Sequence, residues 1–97
     1  MKRAEALRIL AAHRDDLRQQ FGVTTLALFG SVARDEATEA SDVDLLVEFD
    51  RPTGLFGLIR LQDYLSNLFG CLVDIGTPAS LKPRIRSRVL AESIYVN

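Results

Sequence analysis

Apolar residues recur along this chain with two different periods, and the change of period divides it into helices and strands. Over residues 1–20, Leu7, Leu10 and Leu17 fall near one helical face with Ala11 beside them, while Arg14, Asp15, Arg18 and Gln19 occupy the others. That spacing predicts one amphipathic helix, stopped by Gly22. Val23 to Phe29 ends in the apolar run Leu26-Ala27-Leu28-Phe29 and reads as a short buried strand. Gly30-Ser31 then opens a short helix around Val32 to Asp35, and a polar loop runs from Ala37 to Ser41. Asp42 to Phe49 is the second strand. Asp50-Arg51-Pro52-Thr53-Gly54 carries turn residues, after which Leu55, Leu58, Ile59, Leu61, Leu65 and Leu68 recur at helical spacing until Gly70. Most of these belong in a core, although the helix is apolar enough to leave a patch for a partner. Cys71 to Ile75 is the third strand, broken by Gly76-Thr77-Pro78. A last helix spans Lys82 to Ser93, with Pro83 tolerated in its opening turn. The outcome is an α/β (α+β) fold in which helices alternate with strands.

Length and composition narrow the class. The 97 residues, 1–97, are expected to form one domain, too short to hold a catalytic unit and a separate substrate unit. Hydrophobic residues make up 47% and charged residues 26%, a balance that permits a folded core. Twelve Lys and Arg against 13 Asp and Glu give no overall attraction to nucleic acid or to an anionic membrane. Cys71 is alone, so it forms no internal disulfide and reads as a small core residue. No stretch approaches membrane-spanning length, and Met1-Lys2-Arg3-Ala4-Glu5 has no apolar signal core, so a reducing cytoplasm is expected.

The chemistry lies in two adjoining stretches. Gly30 lets backbone approach an anion, the early helical turn after it has unpaired N–H donors, and the Ser31 hydroxyl adds another. Phosphate is the natural guest, though a Gly-Ser pair alone is equally a plain strand-to-helix turn. Asp42 and Asp44 stand two apart, so on a strand both face one side while Val43, Leu45 and Val47 face the other. Such a pair marks a solvated edge or a metal site. Two adjacent carboxylates favour a hard cation such as Mg2+, which takes its remaining ligands from water and substrate phosphates. Asp74 decides between the two, because an acid within Leu72-Val73-Asp74-Ile75 must face water, a cation or a partner. If the strands pair, the three acids converge beside Ser31.

Gly-Ser, a short spacer, Asp-x-Asp on a strand and a third Asp on a later strand together resemble the nucleotidyltransferases of the polymerase beta superfamily. Nearly the whole chain is similar to the minimal nucleotidyltransferases of the MntA antitoxin kind, which are encoded beside a helical HEPN-type toxin. Leu46-Val47-Glu48-Phe49, Val73-Asp74-Ile75-Gly76-Thr77 and Leu81-Lys82-Pro83-Arg84-Ile85-Arg86 extend the match. One departure is Asp35, where many relatives carry Gly before the acid corresponding to Glu36. Gly tolerates positive φ there, and Asp only sometimes does.

The resemblance implies a polymerase beta-like fold, a short mixed sheet with helices packed against it. It also implies transfer of AMP from ATP to a tyrosine hydroxyl of a cognate HEPN toxin, with Mg2+ as cofactor. Gly30 and Ser31 would bind the β and γ phosphates of the nucleotide. Asp42, Asp44 and Asp74 would be catalytic and metal-binding, with Asp74 completing the metal that activates the acceptor or acting as its base. The alternatives are an antitoxin that neutralises its toxin by binding alone, or nucleotidyl transfer to RNA or to a small-molecule hydroxyl. Balanced charge makes nucleic acid an unexpected primary partner.

Other polar residues read more plainly. Arg34 suits neutralising triphosphate charge, holding the loop through Glu36 or lying on a partner surface, with a structural or partner role favoured; Glu36 and Glu48 lie outside the ligand set, and His13 is a surface residue. Lys82, Arg84, Arg86 and Arg88 form a basic cluster that is either a solvated helix face or a grip for an acidic partner or an RNA backbone.

Overall fold

A computed structural model describes residues 1–96. The first apolar period is realised as two helices, α1 (Arg3–Ala12) and α2 (Arg14–Phe21), and not as the single helix expected. His13 makes the break. Its backbone leaves the helical region at φ −110° and ψ 10°, and its ring Nδ1 lies 2.9 Å from the Ile9 carbonyl, one of the acceptors that a helix end leaves free. The chain then restarts with the Leu17 N–H donating to the His13 carbonyl. The break decides which residues enter the core: Ala6, Leu10 and Leu17 are fully buried, whereas Leu7 is half-buried and Ala11 exposed.

Gly22 ends α2 in the left-handed region, as expected. β1 (Val23–Phe29) follows, then the one-turn helix α3 (Gly30–Ala33), β2 (Val43–Phe49), α4 (Leu55–Phe69), β3 (Val73–Gly76), a 3-10 turn at Pro78–Ser80, α5 (Pro83–Glu92) and β4 (Ile94–Tyr95). The strands form one mixed sheet in the order β3-β2-β1-β4. β1 and β2 pair antiparallel, as do β1 and β4, while β2 and β3 are parallel. Parallel neighbours need a long crossover, and α4 supplies it.

Period-two alternation sorts the sheet into two faces. Leu26 and Leu28 of β1, Val43, Leu45 and Val47 of β2 and Val73 of β3 are buried in one cluster with Ala6, Leu10, Leu17, Leu61, Leu65 and Phe69 of the helices. Asp44 and Asp74 belong to the opposite parity. α5 packs over β1 and α3.

Element boundaries differ from the sequence expectation: α3 covers Gly30–Ala33 and not Val32 to Asp35, and α5 is one residue shorter at each end than Lys82 to Ser93. β2 starts at Val43 and leaves Asp42 one residue outside it. β3 starts at Val73 because Gly70 closes α4 in the left-handed region, and Cys71 and Leu72 turn the chain before pairing begins with the bond from Val43 N–H to the Leu72 carbonyl. Cys71 is half-buried against the core and Leu72 is 67% exposed. The 3-10 turn and β4 were not anticipated: the turn rests on reciprocal bonds between Thr77 and Ser80, and a two-residue strand shows no periodicity. Among the described residues, no helix is long and apolar enough to cross a membrane.

Candidate active site

The ladder registers bring the motif residues to one end of the sheet. Phe29, the last residue of β1, pairs with Asp44, and Asp44 pairs with Asp74 across the parallel β2 and β3. Because β1 runs against β2, its C-terminal end meets the N-terminal ends of the other two strands. Gly30, Asp44 and Asp74 therefore follow one another across three adjacent strands. Directly opposed residues project to the same face, so the two carboxylates are lateral neighbours.

Gly30 is fitted to Asp44 in two ways. Its φ is +78°, and a Cβ built on it would collide with Oδ2 of Asp44. Only a residue without a side chain lets the backbone lie this close to the carboxylate. Ser31 is the next residue, half-buried in the same turn.

Charge at the site is unbalanced. Burial, and after it the charges of Asp74 and Asp42, push the Asp44 carboxyl above its ordinary range, while Arg34 opposes them. Asp42 stands outside the strand yet within electrostatic reach of Asp44. Among the described residues no three acidic, His or Cys side chains form a ready-made cage for a cation. The donor set nevertheless fits a hard divalent ion, since all its donors are carboxylate oxygens and at least one carboxylate is disfavoured as an anion without a counter-charge.

Arg34 is held rather than free. Its Nε donates to Glu36 Oε1 at 2.8 Å and its Nη1 to Glu92 Oε2 at 3.0 Å. The structural role expected for it is present, and so is the pairing with Glu36. Glu48 is exposed toward the far end of β2, opposite Thr25 and away from the acids. The basic cluster is not one surface: Arg86 turns inward to donate to the carbonyls of Pro78 (3.1 Å) and Leu81 (3.0 Å), leaving Lys82, Arg84 and Arg88 exposed.

Asp35 settles the loop conformation. Its φ is +60°, the left-handed geometry that a glycine would take without strain. Its Oδ1 accepts the backbone N–H of Arg3 at 3.0 Å, so the aspartate contributes a bond that glycine lacks. The loop keeps its shape and is tied to the start of α1.

Glu92 is the site residue that sequence reasoning missed. Oε1 accepts the Gly30 N–H at 3.2 Å while Oε2 takes Arg34. It belongs to no motif, and the packing of α5 over α3 delivers it; the one available signal was an acid closing an otherwise basic helix. A groove of about 400 Å³ lies elsewhere, lined by Phe21, Arg51, Leu55, Phe56 and Arg60 beyond the other end of β2.

Known proteins can be set beside this geometry. Residues 10–96 match the nucleotidyltransferase domain family. The protein adenylyltransferase MntA of Thermococcus cleftensis is 47% identical over 88 residues, which is 91% of this chain and 89% of that protein. A solved structure assigned as a minimal nucleotidyltransferase is 41% identical and superposes with a TM-score of 0.80, covering 97% of this chain and 95% of that one. A toxin-antitoxin crystal structure with AMP-PNP shares the fold at 17% identity, with a TM-score of 0.71 over 88% of this chain and 70% of that one.

Proposed function

The chain belongs to the nucleotidyltransferase domain family, among its minimal, MntA-like members, and from that premise we propose that it transfers AMP from ATP to a tyrosine hydroxyl of a HEPN-type toxin and so neutralises it. The register Phe29, Asp44, Asp74 beside Gly30 supports this reading, because it sets the Gly30 turn next to acids on neighbouring strands. The activity in the name of the Thermococcus relative supports protein as the acceptor, and the toxin-antitoxin structure supports the pairing with a toxin.

In this reading Gly30 and Ser31 hold the β and γ phosphates through the backbone N–H and the hydroxyl. Asp42, Asp44 and Asp74 are the residues that would hold Mg2+, which when bound neutralises phosphate charge and stabilises the attacking and leaving oxygens. Asp74, exposed on the edge strand, faces the side from which a macromolecule can approach, and its carboxylate takes the hydroxyl proton. The acceptor oxygen bonds to the α-phosphorus, the bond from that phosphorus to the bridging oxygen breaks, and pyrophosphate leaves with the electron pair.

The test is the intact mass of the toxin encoded beside this protein after incubation with the protein, ATP and Mg2+, with Asp42→Ala as control. A gain of one or more AMP units that disappears in the control supports the transfer. No gain, with a tight complex still forming, replaces it with neutralisation by binding. RNA and small-molecule hydroxyl compounds with labelled ATP complete the set of acceptors.

A further inference from the structure

Both oxygens of the Glu92 carboxylate are engaged at the turn where the nucleotide phosphates are placed above. Oε1 takes the Gly30 N–H at 3.2 Å, and Oε2 takes the Arg34 guanidinium at 3.0 Å. The glutamate side chain is only 22% exposed. A backbone N–H beside a glycine and a guanidinium are the donors that phosphate oxygens seek. Here one carboxylate already satisfies them.

We propose that Glu92 is an internal stand-in for a nucleotide phosphate, so that ATP binds by exchanging phosphate for carboxylate at Gly30 and Arg34. This rests on the nucleotide reading above and adds to it a residue that sets the affinity. Arg34 suits the exchange, because its Nε keeps Glu36 at 2.8 Å while Nη1 changes partner. The guanidinium stays oriented throughout. Glu92 is the last residue of α5, and the chain that follows it is held in place. Just after it, β4 pairs with β1 through Ala27 with Tyr95 and Leu28 with Ile94, and the Val96 N–H donates to the Leu26 carbonyl at 2.8 Å. The carboxylate hangs from backbone that is fastened to the sheet, so only its side chain has to swing away.

A competing role is that of a strut, in which the Glu92 and Arg34 pair merely fastens α5 to α3. The two roles predict opposite signs. If Glu92 competes with phosphate, Glu92→Gln binds ATP with Mg2+, and tripolyphosphate with Mg2+, about threefold to tenfold more tightly than the wild type. Glutamine keeps an acceptor for the Gly30 N–H but gives up the charge on Arg34. If Glu92 is a strut, the variant binds both ligands equally or more weakly, and the proposal falls.

Titration calorimetry on the full chain reads these constants. A second measurement needs no variant: the side-chain carboxyl carbon signal of Glu92 in the wild type should move toward that of a free glutamate as nucleotide saturates. A signal that stays in place while nucleotide binds overturns the exchange and leaves nucleotide binding intact. Failure of ATP and tripolyphosphate to bind either protein overturns the nucleotide reading itself, and the exchange with it.

Discussion

An oxygen of the Asp44 carboxylate lies where the Cβ of any residue larger than glycine at position 30 would have to go. The Gly30 turn and Asp44 are thus one fitted unit, and Gly30→Ala should damage both. The left-handed backbone alone costs an alanine about 1–2 kcal/mol, and displacement of Asp44 adds to that. Urea unfolding should show the stability loss. Toxin modification by the folded fraction should fall at least as far as it does in Asp44→Ala, because the carboxylate can no longer take its position.

Asp44 should also make the metal-free protein less stable at neutral pH than its amide variant. Burial, then Asp74 and Asp42, raise its folded-state pKa, so the ionised form is disfavoured in the folded protein relative to the unfolded chain. The stability contributed by this group is full below the ordinary carboxylate pKa and is lost as pH rises through the raised value. In EDTA, Asp44→Asn should therefore melt higher than the wild type at pH 7, with the difference closing at about pH 4 and below. Each kcal/mol corresponds to about 4–8 °C in a chain of this size. Added Mg2+ should raise the melting temperature of the wild type and leave that of the variant nearly unchanged.

Those two effects involve residues that were legible in the sequence, and the reason is physical. Gly30, Asp44 and Asp74 sit where local rules speak clearly: a glycine at a strand end, and acids at alternating positions in apolar strands. β1 ran from Val23 to Phe29 as expected, and α4 stopped at Gly70. What escaped depends on contacts between distant segments. Glu92 reaches Gly30 across 62 positions of chain through the packing of α5, and the split at His13 comes from a ring nitrogen meeting a backbone carbonyl, which no hydrophobic period encodes. β4 owes its existence to the exposed edge of β1 more than to its own two residues.

Position 35 offers a graded test of backbone strain. At φ +60° glycine relieves strain but loses the bond to the Arg3 N–H, so Asp35→Gly should lie within about 1 kcal/mol of the wild type. Asn tolerates the left-handed region and keeps an acceptor, and should also be close. Asp35→Ala should lose about 1–2 kcal/mol, and a β-branched Val more still. Denaturant midpoints across the four variants check the order; a wild-type-like Val would mean that the loop relaxes out of the left-handed region.

The order of residues across the sheet separates two kinds of loss. Gly30 follows Phe29, the partner of Asp44, and Asp74 stands on the far side of Asp44, on an edge strand and exposed. In the proposed function, phosphate binding takes one end of this row and acceptor activation the other. Replacing Asp74 by Asn should lower the rate of AMP transfer by about 10²–10⁴-fold, the range for removing a general base, while the affinity for ATP with Mg2+ falls less than it does when Asp42 is lost. Asp42→Ala, which removes a charge from beside Asp44, should weaken nucleotide binding as well as transfer. Calorimetry for binding and single-turnover mass measurement for transfer distinguish the two variants. Equal loss of nucleotide affinity in both would show that Asp74 works mainly in holding the cation, and that the hydroxyl proton leaves by another route.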